Sequence, residues 1–419
     1  MNHQFDFLNK IKKQIRPDKS VLIKVNKFLK KINNEIKKKD LPVVCVAGGS
    51  VAKGTYLKND FDIDLFVKFN YSFKKKNLSH LLEKILLKFK DKQKVHGSRD
   101  YFQIMENDLN YEIVPVLDIR NPDKAENVTD MSPLHVNWVK KNLKNGIKDE
   151  IRLAKKFCKA QKIYGAESYI RGFSGHVLDI LLIYYGSFLD WLKNGVKWKS
   201  KEIIDIENHY KNKEVLFHMN KSKTKGPLVV IDPILPERNA AAALSTKNFQ
   251  KFRKKAKEFL INPSEKFFRK KKITKTYLNK KAGKNKLLIL KVEPFKQKTD
   301  ISGSKLLKTY EFIKRKIKKN GFDLIDSGWD WDKKNNAKFW YIIYNKKLPE
   351  YKKITGPYKK MTEHVKAFKK KYDEVYVKDN RIYARTKTEH RTPEKFIQNL
   401  IQESEYIKEK VNWISIYSS

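Results

Sequence analysis

Residues 43–47 read Val-Val-Cys-Val-Ala and run straight into Gly48-Gly49-Ser50. Twelve residues after Ser50 comes Asp62-Ile63-Asp64, inside the alternating stretch 61–69. The apolar run ending in glycines predicts a short buried strand and a turn, and the alternation predicts a second strand. Residues i and i+2 of a strand share one face, so Asp62 and Asp64 project side by side. Two carboxylates on one face repel unless a cation lies between them. The chain has to build a strand–turn–strand unit that carries two acids beside a glycine-rich turn.

That unit has a chemistry. A Gly-Gly-Ser turn exposes N–H groups and a hydroxyl, and a small residue such as Gly49 lets the backbone approach an anion. Gly49 and Ser50 therefore suit a triphosphate, and Lys53 adds a point charge. The natural cation for Asp62 and Asp64 is Mg²⁺, a hard ion bound by carboxylates and substrate phosphates. Glu112, in Tyr111-Glu112-Ile113-Val114-Pro115, is flanked by apolar residues on what reads as a neighbouring strand. Three carboxylates beside a phosphate-cradling turn make a two-metal phosphoryl-transfer site. Each piece alone has a plain reading: a solvated Asp-x-Asp, an ordinary turn, an edge-strand glutamate. Their spacing together favours the catalytic one.

The rest of the composition fits a polyanionic partner. Lysine and arginine number 93 against 47 acids in 419 residues, a net charge of +46. Such a field has no use in an ordinary small-metabolite enzyme, and nucleic acid is the first candidate. Part of the excess is a lysine-rich background spread along the whole chain. The 20 Tyr, 24 Phe and 7 Trp exclude a disordered polar chain. Cys45 and Cys158 are too few for a disulfide framework or a thiolate metal site, which points to a reducing compartment. The longest apolar stretch, 177–192, carries two Asp and a Gly and is too short and polar to span a bilayer. The expectation is a cytoplasmic protein with no membrane partner.

Pattern changes divide the chain into an α+β multidomain protein. Residues 1–145 predict a mixed-sheet head: basic amphipathic helices over 1–40, strands at 43–47, 61–69, 100–105 and 111–118, and a helix over 77–90. Residues 146–262 predict a helical central domain with a brief strand at 228–233. Residues 263–419 predict an α+β, ferredoxin-like region that alternates strands and helices. The lysine-dense stretch 262–286 reads as an exposed connector or basic hairpin. Its lysines would neutralise phosphates, and Phe267 and Phe268 are equally suited to base stacking or to a core.

At Gly48–Ser50, Asp62-Ile63-Asp64 and Glu112 the chain resembles nucleotidyltransferases with a DNA polymerase β-like catalytic core. Further residues narrow the likeness. They are Arg152-Leu153-Ala154-Lys155-Lys156-Phe157, Ile163-Tyr164-Gly165-Ala166-Glu167, Arg171-Gly172-Phe173-Ser174-Gly175 and Tyr185-Gly186-Ser187-Phe188. Val230-Ile231-Asp232-Pro233, followed by Arg238-Asn239-Ala240-Ala241-Ala242-Ala243-Leu244-Ser245, adds to them. In this order they are similar to the central domain of the archaeal-type (class I) CCA-adding enzymes. The resemblance covers most of residues 40–260 and continues more weakly through Gly356-Pro357 and 374–385.

The resemblance implies an enzyme that builds or repairs the CCA end of tRNA from CTP and ATP, without a template. Asp62, Asp64 and Glu112 would be catalytic and would hold the metals, with Glu112 on the ion that activates the 3′-hydroxyl. Ser50 and Lys53 would contact the triphosphate, and His135, in Ser132-Pro133-Leu134-His135, would contact the nucleotide. Lys155 and Tyr164 match triphosphate and sugar contacts, and Arg238 matches a base-reading arginine. A homodimer is compatible with this family. Transfer RNA would be read by duplex shape, because A-form major grooves hide base edges.

Three departures accompany the likeness. Lys53 stands where the family usually has Arg, which keeps the charge and loses the bidentate fork. Glu112 stands where Asp is usual. Arg99-Asp100-Tyr101 replaces His-Pro-Tyr. Two other readings stay open on the residues alone. One is another template-independent enzyme, such as a poly(A) polymerase or an oligoadenylate-type synthase. The other is a non-catalytic RNA-binding protein on a dead transferase fold, against which the intact carboxylates argue.

Overall fold

The computed structural model describes residues 3–210 and 214–417. It forms two compact units, Met1–Lys271 and Lys272–Ser419.

The first unit opens with helices α1 (Phe7–Ile15) and α2 (Lys19–Lys37). Val25, Phe28, Ile32 and Ile36 of α2 recur at helical spacing and are buried, while the intervening lysines face water. They cover a sheet built from β1 (Val43–Ala47), β2 (Ile63–Phe69), β3 (Gln93–Val95), β4 (Tyr101–Glu106) and β5 (Leu109–Leu117). Helices α3 (Gly49–Lys53) and α4 (Leu78–Ile85) lie between strands of that sheet in the chain. The strand order is β1-β2-β5-β4-β3, with β2 and β5 parallel and the other pairs antiparallel. Ile63, Leu65, Val67 and Phe69 alternate into the core beneath α2, where Phe28 stacks on Tyr111 at 3.9 Å. The other face carries a small cluster of Phe66, Val116 and Val136. That cluster covers the far half of β2 and β5 and leaves Asp64 and Glu112 beyond its edge.

Two expectations change here. The Gly-Gly-Ser turn is the start of a one-turn helix, α3, because Gly48 is extended and Gly49 takes a positive φ of 49°. The helix over 77–90 ends at Ile85, and β3 lies in a polar stretch that periodicity did not mark.

The chain then turns helical through α5 (Ser132–Asn142), α6 (Ile147–Ala160), α7 (Gly175–Tyr185), α8 (Phe188–Lys197), α9 (Val215–His218) and α10 (Thr246–Ile261). Short parallel strands β6 (Glu202–Ile204) and β7 (Leu228–Val230) pair among them. Aromatic packing holds this block: Trp191 stacks on Phe252 at 4.6 Å, with Phe157, Phe188 and Phe259 around it. Gly195 makes room for Phe252, whose Cε1 would lie 2.5 Å from a Cβ there. Phe268 is buried against Phe157 and Phe188, and Gln161 donates to the Phe267 carbonyl at 2.7 Å. These two aromatics therefore belong to a core, and the stretch 262–286 is no hairpin. It forms a 3₁₀ turn at Glu265–Phe268 and then helix α11 (Lys275–Ala282).

The second unit continues with β8 (Lys286–Glu293), α12 (Thr299–Lys319), β9 (Leu324–Trp331), β10 (Ala337–Ile343), β11 (Tyr351–Tyr358), α13 (Thr362–Lys371), β12 (Val375–Lys378), β13 (Arg381–Lys387), α14 (Pro393–Glu403), α15 (Glu405–Lys408) and β14 (Trp413–Ile416). The order β14-β8-β10-β9 with antiparallel pairs is the ferredoxin-like arrangement. A second sheet, β11-β13-β12, is inserted with α13 between β10 and α14. Strands β11 and β14 escaped the sequence reading. Each pairs with a strand remote in the chain, and β11 is interrupted by Gly356-Pro357. Among the described residues, no helix is long and apolar enough to cross a membrane.

Candidate active site

The register of three strands builds the acidic centre. Asp64 of β2 lies opposite Glu112 of β5, and Glu112 lies opposite Gln103 of β4. Asp62 immediately precedes β2. The Gln103 amide donates to Glu112 Oε1 at 2.7 Å and so fixes one oxygen of the carboxylate. Helix α3 closes on Asp64 from the other side. The Gly48 N–H donates to the Asp64 carbonyl at 2.7 Å, and a Cβ on Gly49 would lie 1.7 Å from Asp64 Oδ2. Glycine at 49 thus allows both the positive φ and the close approach.

Electrostatics matches this crowding. Burial pushes the Asp64 carboxyl up to about 7, and the Glu112 and Asp62 carboxylates push the same way. The Tyr101 hydroxyl is pushed up to about 12 by burial and by the same three acids, so Tyr101 faces the cluster. An all-oxygen donor set under mutual repulsion is what a hard divalent cation relieves. The residues present fit such an ion.

Lys53, Lys155 and Tyr164 come together at the wall between the sheet and the helices. Lys53 is buried, and its Nζ lies 2.8 Å from Asp179 Oδ2. Lys155 Nζ lies 3.2 Å from Asp179 Oδ1 and 2.9 Å from Thr55 Oγ1. A Cβ on Gly175 would lie 3.0 Å from the Tyr164 hydroxyl and 3.9 Å from Lys155 Nζ. Burial raises the Tyr164 hydroxyl well above its ordinary value. Sequence reasoning missed Asp179. It stands in the apolar helix α7, where a lone acid at a buried position was the available signal.

His135 and Arg238 meet on a residue the sequence reading gave no role. His135 Nε2 lies 2.9 and 3.0 Å from the two Asp232 oxygens, and Arg238 Nη1 lies 2.5 Å from Oδ2. Asp232 is fully buried and is held well below the usual carboxylate range, despite burial, by His135 and His176. The His176 ring lies edge-on to His135 at 4.3 Å, and burial brings it down to about 4. The ligand atoms of His135, His176 and Asp232 all lie within 4.8 Å of one another. The Arg238 guanidinium already occupies that carboxylate, so Asp232 acts as an anion hub for cationic and N–H partners.

Arg99 has a structural explanation. Its guanidinium pairs with both oxygens of fully buried Asp130 and donates to the Pro115 carbonyl at 3.1 Å. Asp130 also accepts from the Leu117 and Asn127 N–H groups, which pins the chain after β5.

In the second unit, one face of β11-β13-β12 combines bases and aromatics. Tyr383 and Arg385 share a side of β13, opposite the buried Ile382 and Ala384. Lys353 lies 3.6 Å from the Tyr383 ring centre and Arg385 lies 4.2 Å from that of Tyr351. Tyr376 and Tyr383 stack at 5.7 Å. Sequence reasoning marked the basic stretch 262–286 and gave no role to this face, whose residues come from separate strands.

Sequence models of three families match the chain in order. They are "Nucleotidyltransferase domain" over residues 29–136, "tRNA nucleotidyltransferase, second domain" over 149–269 and "CCA-adding enzyme, C-terminal domain" over 287–412. The chain is 37% identical over 339 residues to the CCA-adding enzyme of Nanoarchaeum equitans, covering 80% of this chain and 82% of that protein. It is 33% identical to that of Saccharolobus islandicus, with 89% and 87% covered. It is 31% identical to that of Sulfolobus acidocaldarius, with 97% and 94% covered. Among solved structures, a cytoplasmic RNA terminal U-transferase aligns with a TM-score of 0.52 at 13% identity, over 65% of this chain and 100% of that one. A poly(U) polymerase aligns with a TM-score of 0.52 at 13% identity, over 64% and 99%. These structural likenesses concern the fold. With its carboxylate register, its three family matches and relatives of this identity along most of its length, the chain belongs to the CCA-adding enzymes, the tRNA nucleotidyltransferases of archaeal type.

Proposed function

We propose that this chain builds or repairs the 3′-terminal CCA of tRNA from CTP and ATP without a nucleic-acid template. The observation that carries the reading is the β2–β5 register, which sets Asp64 across from Glu112 with Asp62 beside them. The family matches support tRNA as the partner. The tRNA 3′-hydroxyl attacks the nucleotide α-phosphate and pyrophosphate leaves. Asp62, Asp64 and Glu112 would hold divalent metal ions, with Mg²⁺ the cation that suits carboxylate and phosphate oxygens. Bound there, such ions offset phosphate charge and lower the pKa of the attacking hydroxyl.

The remaining roles fall to this chain's own groups. Gly49 and Ser50, at the start of α3, meet the triphosphate next to Asp64. Lys155 and Tyr164 meet the triphosphate and sugar from the helical side, and Lys53 adds positive charge beside them. His135 and Arg238, both anchored on Asp232, meet the base and orient it. Residues 1–145 serve as the catalytic head, 146–262 as the nucleotide-binding helical domain and 263–419 as the tRNA-binding region. The β11-β13-β12 face supports the last role, since lysine and arginine neutralise phosphates and tyrosines stack on bases. The buried thiols Cys45 and Cys158 support a cytoplasmic setting.

The test is one incubation of tRNA lacking CCA with Mg²⁺ and labelled CTP and ATP, separately and together, resolved to one nucleotide. Two C from CTP alone, then one A and a stop when both are present, is the expected result. An extending A ladder from ATP alone would overturn it in favour of a poly(A) polymerase.

A further inference from the structure

Asp179 has no part in the reaction as described, yet it is among the most enclosed acids of the protein, with its side chain 2% exposed. Its two oxygens divide between two ammonium groups, Lys53 Nζ at 2.8 Å and Lys155 Nζ at 3.2 Å. The lysines come from different blocks of the first unit. Lys53 ends α3, which belongs to the sheet block, and Lys155 lies on α6 of the helical block. Both are buried. One carboxylate serves two buried ammoniums, and Lys53 also lies near enough to Asp64 to favour its charged form.

The connection to the acidic centre is short. Helix α3 has five residues. Gly49 packs on Asp64 at its first end, and Lys53 is tied to Asp179 at its last. A shift of Lys53 is therefore passed within one helical turn to Ser50 and to the Gly49–Asp64 contact.

We propose that Asp179 is a positioning residue for the nucleotide site. Its carboxylate holds Lys53 of the sheet block and Lys155 of the helical block together and, through Lys53, sets α3 against Asp64. The inference rests on reading Lys53, Lys155 and Tyr164 as part of the CTP and ATP site. It gives the Lys-for-Arg departure at position 53 a physical reason. A compact ammonium is satisfied by a buried carboxylate at 2.8 Å, whereas a guanidinium fork would bring five donors into the same enclosed space. Lys53 then acts on the triphosphate from a fixed place instead of from a mobile side chain, which reduces the ordering that binding requires.

The test compares the wild type with Asp179→Asn, Asp179→Glu, Lys53→Met and the double variant Lys53→Met/Asp179→Asn. Four quantities are read: kcat and KM for CTP and ATP on tRNA lacking CCA, the Kd of ATP alone by equilibrium dialysis, tRNA affinity by filter binding, and Tm. Asp179→Asn is expected to raise the ATP Kd and both KM values about tenfold, with kcat changed less than about threefold. Affinity for tRNA stays the same, and Asp179→Glu recovers most of the loss. The double variant is no weaker than the weaker single one, because both cut the same link.

Multiplying effects in the double variant would overturn the proposal. So would an unchanged ATP Kd in folded Asp179→Asn, or a fall in kcat at constant KM. A buried pair that serves stability alone would lower Tm without a selective change in nucleotide affinity. If Asp179→Asn does not fold, Lys53→Arg keeps the charge that meets the triphosphate but misfits Asp179; its ATP Kd is then expected to rise, and an unchanged Kd overturns the proposal. If the wild type binds ATP but adds no C or A to tRNA, the functional reading fails while the Kd comparison still decides the role of Asp179.

Discussion

Gln103 donates its amide to Glu112 at 2.7 Å, and the register that sets Gln103 on one side of Glu112 sets Asp64 on the other. A glutamate has one more rotatable bond than the aspartate usual at this place, and the Gln103 hydrogen bond restrains it. Gln103→Leu is expected to lower kcat about tenfold and to raise the Mg²⁺ concentration for half-maximal activity, as loss of a group orienting a metal ligand does. Rates titrated with Mg²⁺ check it. An unchanged Mg²⁺ requirement would mean that Glu112 holds its place without Gln103.

Removing either leading acid separates chemistry from RNA binding. Asp62→Ala or Asp64→Ala is expected to lower incorporation by more than about a thousandfold, since charge stabilisation by metal is worth several kcal/mol. Filter or gel binding of tRNA stays largely intact. Loss of tRNA binding in these variants would refute the separation of the acidic centre from the RNA surface.

Asp232 carries His135 and Arg238 together. Asp232→Asn keeps the shape and removes the charge that orients both. Loss of buried charge-assisted bonds costs about 1–3 kcal/mol. The expected outcome is a rise of about ten- to a hundredfold in KM for CTP and ATP, with more misincorporation of UTP and GTP. Single-nucleotide resolution of products with each of the four nucleotides checks it.

Partly buried His176 predicts a pH dependence of stability. Its value of about 4 lies below the ordinary 6.5, first because of burial and then because His135 and Lys53 are near. Asp232, engaged by Arg238 and His135, offsets this only in part. Between those two values the unfolded chain binds a proton that the folded chain refuses. Stability from this group is therefore complete above about 6.5 and is lost as pH falls toward 4, by up to about 3 kcal/mol. Asp232, held low, acts in the same direction below the ordinary carboxylate range. Tm measured across pH 4–8 should fall in acid, and His176→Gln should flatten the fall. Parallel curves for variant and wild type would assign the acid lability elsewhere.

The basic face of the second unit predicts salt behaviour. Lys353→Ala and Arg385→Ala should each weaken tRNA binding and reduce the slope of log K against log salt by about 1. Tyr383→Ala should weaken binding without changing the slope, because stacking releases no counterions. Filter binding over a range of KCl separates the two effects.

Sequence alone determined what is local or periodic. The alternation of 61–69 marked β2, and the shared face of Asp62 and Asp64 followed from the two-residue repeat of a strand. The basic amphipathic pattern over 1–40 marked helices there, because a helix that buries one face must repeat it every turn, and α2 buries Val25, Phe28, Ile32 and Ile36. The order of motifs along the chain marked the family. Tertiary structure decided what depends on which remote residue comes opposite. Strands β11 and β14 became strands by pairing with β13 and β8, and no periodicity of their own announced it. Phe268 became core because Phe157 and Phe188 enclose it within a lysine-rich stretch. Gln103 beside Glu112, Asp232 beneath His135 and Arg238, and Asp179 between Lys53 and Lys155 are pairings across 6 to 126 residues of chain. A buried charge is stable only with its partner, and folding alone brings the partner within reach.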